Sequence, residues 1–138
     1  MKVFAAWLAL GFGTFLAVAE AVRNSGEIQW WPFWVVDYIA VALLLWGAVA
    51  VLWRPAAARG LPILTAAWGF ACAMFYMSFF GHIDEIVRSG VAVDITNAQS
   101  AVDEPWLTVI IGVLFAITIV GLITSLVAEL RGEKKAPH

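Results

Sequence analysis

Eight side chains in this 138-residue, largely apolar chain carry groups suited to binding or proton chemistry: Glu20, Asn24, Asp37, Tyr38, Tyr76, His82, Asp84 and Glu85. Glu20 and Asp37 are the sharpest pair. Each adjoins or lies within a long apolar run, where a carboxylate is costly and marks a functional site or a specific partner. Two carboxylates that share one desolvated site resist ionising together, so the chemistry open to them is the binding of a proton, a cation or a polar ligand head. Asn24, Tyr38 and Tyr76 add hydrogen-bonding groups. His82 with Asp84 and Glu85 offers ligand-type atoms, but one histidine among scattered carboxylates lacks the paired spacing of a metal centre, and no metal is assigned. Each group also has a structural explanation. Glu20 has Arg23 and Asn24 three and four residues on, the spacing of helix-surface partners. Asp37 suits a capping or interhelix hydrogen bond, and Trp30, Trp31 and Trp34 suit a belt at the headgroup level.

The elements that must position these groups are four apolar runs, Val3–Ala19, Trp31–Trp53, Leu61–Gly81 and Trp106–Ala128. Each is close to the roughly twenty residues that cross a bilayer's hydrocarbon core. At 63% hydrophobic and 13% charged residues, with a mean hydropathy of +0.90, the chain has too little polar surface to clothe a soluble globule. The expected architecture is all-α: an integral membrane four-helix bundle in a single domain, with spans at about 3–23, 31–54, 61–82 and 105–129. Lys2, the apolar run after it and Ala17-Val18-Ala19 imitate a secretory signal with its cleavage site. The run is as long as a full span, and it is read here as a retained first helix. Ala5, Ala9, Gly13, Ala17 and Ala21 form a ladder at fourfold spacing, which lets a neighbouring backbone approach closely. Thr65, Gly69 and Ala73 suggest a second small face on the third helix. The fourth run has no ionisable residue between Trp106 and Ala128 and reads as a lipid-facing or partner-facing wall.

The charges are sorted by side. With both tails and the 54–60 turn together, one side carries Lys2, Arg54, Arg59, Arg131, Lys134 and Lys135 against Glu129 and Glu133. The other holds Glu20, Glu27, Asp37, Asp84, Glu85, Asp94, Asp103 and Glu104 against Arg23 and Arg88. The positive-inside rule then places both termini in the cytoplasm and the acidic end outside, in a bacterial inner membrane. Residues 83–104 form the expected outer loop. Its first part is a short amphipathic segment with Ile83, Ile86 and Val87 on one face and Asp84, Glu85 and Arg88 on the other. Asp103 and Glu104, just before Pro105, need only cap the fourth helix.

The sequence contains no Gly-rich phosphate loop, no convincing Ser-His-Asp set and no cysteine pair, since Cys72 is alone. No catalytic residue is assigned, an enzyme is the less favoured class, and no cofactor is identified. Nothing in the charge pattern suits nucleic acid. The expected function is that of a non-enzymatic membrane protein, an accessory subunit of a membrane complex or a binder of a lipophilic molecule. Its polar site is placed at Glu20, Asn24, Asp37, Tyr38, Tyr76, His82 and Glu85. The expected partners are the lipid bilayer and either other membrane subunits or further copies of the chain. A proton- or cation-coupled carrier or channel using Glu20 and Asp37 is the alternative, followed by an enzyme acting on a lipid or quinone-like substrate.

Overall fold

A computed structural model of the protein describes residues 1–23, 31–53, 59–88 and 105–133, and the described residues are helical almost throughout. The helices are α1 (Lys2–Arg23), α2 (Trp31–Trp53), α3 (Gly60–Arg88) and α4 (Pro105–Glu133). All four contain stretches long and apolar enough to cross a membrane. Among the described residues prolines occur only where a helix tolerates them: Pro32 and Pro62 in first turns and Pro105 at a first position, where the missing N–H has no intrahelical acceptor to lose.

The helices form a bundle in chain order, with α1 against α2, α2 against α3, α3 against α4 and α4 back against α1. Sequential neighbours run antiparallel. Across one diagonal α1 also meets α3, whereas α2 and α4 have no contact among the described residues. Glycines set the closest approaches. A Cβ on Gly47 of α2 would lie 2.8 Å from the Leu64 Cα of α3, and one on Gly60 would lie 3.1 Å from the Ala50 carbonyl carbon. Backbone touches backbone there, the packing that small residues permit in lipid.

Trp68 is the centre of the core. Its side chain is fully buried, its Nε1–H donates to the Ala5 carbonyl of α1 at 3.3 Å, and its ring lies 5.6 Å from that of Phe12. On its α4 side, a Cβ on Gly121 would fall 2.4 Å from two of its ring carbons, so the indole occupies the room a side chain would have taken. Leu44, Leu64, Ala67, Ala71 and Phe75 fill the remainder of the interior. The hydroxyls of α4 introduce few polar demands. Thr118, Thr124 and Ser125 donate to carbonyls three or four residues back, at 2.7–3.1 Å. Thr65 Oγ1 is the buried side-chain atom without a partner among the described residues.

The structure alters several details of the sequence reading. The amphipathic segment after residue 82 is not a separate element of an outer loop; α3 runs unbroken to Arg88, with the Asp84–Arg88 pair one turn apart along it. α4 likewise continues to Glu133 rather than stopping near residue 129. The α1 ladder holds for Ala5, Ala9 and Gly13, all buried, but Ala17 is half-buried and Ala21 exposed. A fourfold repeat turns through 400° and drifts about 40° at each step, which rotates the ladder off the interface. The small face of α3 is not its packed face. Thr65 and Gly69 are half-buried and Ala73 is exposed, while Leu64, Trp68, Ala71 and Phe75 point inward.

Gly13→Leu is expected to separate α1 from α2, because a Cβ there already sits 3.2 Å from the Leu45 side chain and 3.5 Å from the Leu44 Cβ. Overpacking of this kind costs about 1–3 kcal/mol. Ile123, 53% exposed on α4, is the outward control. The yield of monodisperse detergent-solubilised protein should fall for Gly13→Leu and stay near wild type for Ile123→Leu. Equal yields would mean that the α1–α2 contact tolerates a side chain.

Candidate functional site

One end of the bundle gathers the C-termini of α1 and α3 and the N-termini of α2 and α4. The buried face of α1 advances by one turn at a time through Phe12, Leu16 and Glu20, which are 6%, 5% and 6% exposed. Glu20 is thus the polar end of an apolar stripe. On α3 the inward face passes from Trp68 through Phe75 to the half-buried His82, in two steps of seven residues that hold nearly one orientation. Phe12 and Phe75 meet edge to face with ring centroids 5.6 Å apart. Because α1 and α3 run in the same direction, eight residues beyond Phe12 and seven beyond Phe75 carry Glu20 and His82 to nearly one level, roughly 11 Å past that contact.

The α1–α2 register brings Asp37 to the same level. Gly13 packs against Leu44 and Leu45. Glu20 lies seven residues after Gly13 and Asp37 seven residues before Leu44, so in antiparallel helices both move about 10 Å towards the same end. Asp37 is half-buried, and both carboxylates engage other groups of the protein. The fourth helix contributes Thr108, 7% exposed, whose Oγ1 lies 3.5 Å from His82 Nδ1. At this level each helix therefore has one buried or half-buried polar side chain over the end of the apolar core, Glu20, Asp37, His82 and Thr108, here called the cap, with His82 and Thr108 in direct approach.

The other described sequence candidates are more exposed. Tyr38 and Tyr76 are exposed, at 37% and 48%. Tyr76 belongs instead to a ring cluster on the α3–α4 flank, with Phe80 at 4.6 Å and Phe115 at 5.9 Å. Glu85 is exposed on the last turn of α3, and Asp84 pairs with Arg88 at 2.7 Å on the surface. An exposed pair of this kind adds little stability. Asn24 lies outside the described residues. Sequence reasoning missed Thr108, and its only signal was indirect: a hydroxyl near the start of the fourth apolar run, which has no ionisable residue.

Among the described residues no three His, Cys, Asp or Glu side chains are grouped so as to hold a metal ion. The cap provides a buried carboxylate, a half-buried carboxylate, an imidazole and a hydroxyl. That set can donate to, accept from and charge-balance a small polar group, and it contains neither a paired nucleophile and base nor a phosphate cradle. No protein-family model, curated protein or solved structure matches this chain.

Proposed function

We propose that the protein is a non-enzymatic component of a bacterial inner membrane that holds the polar head of a lipophilic molecule at this four-helix cap, alone or as an accessory subunit of a larger membrane assembly. The observation that carries the reading is the contrast between the cap and what lies beneath it. Below Glu20 and His82 the interior is filled by Phe12, Phe75, Trp68, Leu44 and Leu64, a largely apolar plug in which the buried hydroxyls of Thr118 and Ser125 donate to carbonyls of their own helix, and among the described residues it holds no ionisable side chain. A head group can rest at the polar end while its apolar part lies along the exposed hydrophobic flanks, which is the usual division of labour in small-molecule sites. The charge sorting supports an outward-facing cap with both termini in the cytoplasm.

The facing register of Glu20 and Asp37 favours one other reading, a proton- or cation-coupled carrier. The plug weighs against a route through one protomer. Purification in mild detergent, followed by solvent extraction, mass spectrometry and an absorption spectrum, is expected to yield a stoichiometric lipophilic compound or a stoichiometric larger membrane partner. Protein that carries neither and conducts protons in liposomes would overturn the reading. The orientation has its own test in a Cys72→Ala chain. Ser100→Cys should react with an impermeant thiol reagent in intact cells and Ala58→Cys should not; the reverse pattern would invert the topology.

A further inference from the structure

The α1–α2 hairpin carries a protruding ring on one flank and a notch on the other, at one depth. The reference point is the contact between Gly13 and Leu44. Gly11 lies two residues before Gly13 and Trp46 two residues after Leu44, so in antiparallel helices both sit at one level. A step of two residues turns a helix through about 200°, so Gly11 faces away from α2 and Trp46 away from α1. Trp46 is 62% exposed. A Cβ built on Gly11 meets nothing within 4 Å. One turn to either side of Gly11 on α1 stand Trp7 and Phe15, 56% and 54% exposed, which makes the glycine a gap one residue wide in a wall of rings.

Polarity matches shape. Trp46 lies seven residues, about 10 Å, inside the Trp53 end of α2, within the hydrocarbon depth of a span about 34 Å long. A tryptophan facing lipid at that depth has no water to accept from its indole N–H, and such a donor ordinarily finds a partner. Among the described residues none accepts from it. On the notched flank Thr14, exposed and three residues from Gly11, presents a hydroxyl that likewise has no hydrogen bond among the described residues. One flank thus offers a ring and a donor, and the opposite flank offers a gap and an acceptor.

We propose that a second copy of this chain occupies each flank, with Trp46 of one protomer seated over Gly11 and donating to Thr14 of the next. Rotation about an axis along the membrane normal preserves depth, which the level match requires. Since the two surfaces lie on opposite flanks, the contact is head-to-tail rather than a two-fold pair, and it repeats from copy to copy, closing as a ring where each step adds the rotation that closure needs. The inference rests on the membrane-spanning reading of the helices and is independent of what the polar cap binds.

Two measurements test it on the full-length protein. Differently tagged chains carrying Gly11→Cys or Trp46→Cys, each with Cys72→Ala, are co-expressed and oxidised in native membranes. Mixed cross-links should exceed same-site cross-links at least fivefold. Because Trp46→Cys removes the ring itself, native mass spectrometry from mild detergent supplies the second readout. Wild type should appear as oligomers of three or more copies. Gly11→Leu, which fills a gap open to the surface, should lower that fraction at least tenfold while circular dichroism stays unchanged, and Val113→Leu on exposed α4 should not. A monomeric wild type, same-site cross-links, or an oligomer indifferent to Gly11→Leu would overturn the proposal.

Discussion

Trp68→Ala is expected to be the most damaging single core substitution, at about 3–5 kcal/mol, the range for removing a buried large aromatic side chain. The indole is fully buried, bridges α1 and α3 across the diagonal of the bundle, and fills the space beside Gly121. Its loss leaves a cavity that three helices would have to move to close. The complementary change, Gly121→Ala, adds a methyl where a Cβ already falls 2.4 Å from the ring, and should cost about 1–3 kcal/mol by overpacking. The two sites are in contact and should not behave additively. Trp68→Phe shrinks the ring, so the double variant Trp68→Phe with Gly121→Ala should be more stable than the sum of the single changes implies. Equilibrium unfolding in mixed micelles measures the cycle. Additive effects would mean that the ring and the glycine do not share one space.

The second large effect is functional. Glu20→Gln and Asp37→Asn are each expected to reduce retention of the co-purifying molecule at least tenfold while the protein keeps wild-type helicity and remains monodisperse. These substitutions preserve size and remove only the charge, so they test the cap without opening a hole in the core. Glu85→Gln and Asp84→Asn serve as controls, because both residues are exposed on the last turn of α3. If the two cap variants lose stability but retain the bound molecule at wild-type occupancy, Glu20 and Asp37 are structural ties between helices.

The four helices were legible in the sequence because membrane spanning imposes a minimum apolar length, and their observed bounds differ little at α1 and α2. Glu20 was legible as an inward-facing group through its seven-residue offset from Gly13. Periodicity served less well where two faces compete. The Thr65–Gly69–Ala73 row of α3 looked like a packing face, yet the bulkier Leu64–Trp68–Ala71–Phe75 face won the interior because it buries more apolar area. The end of α3 was misread for a related reason. Residues 83–88 change from apolar to amphipathic, which in sequence resembles a new element, but no glycine or proline intervenes to break the helix before Ser89. Tyr38, Tyr76 and Glu85 were grouped with Glu20 and Asp37 by their position near one end; their exposure was not legible, because it is set by the direction of each side chain around its helix and not by depth. Thr108 reached the site through the α3–α4 register, which depends on Phe79 packing against Gly112 and Trp68 against Gly121. No local sequence pattern encodes that pairing.

In the proposed function a polar group of a bound lipophilic molecule sits over the apolar core at Glu20, Asp37, His82 and Thr108. Native mass spectrometry of wild type and of the Glu20→Gln, Asp37→Asn double variant, both purified in the same mild detergent, tests it most directly. A discrete added mass is expected on wild type and should be lost from the double variant, while the protein mass and the charge-state envelope of a folded species persist. An identical added mass on both proteins, or a folded wild type with none in any membrane assembly from which it is recovered, would contradict it.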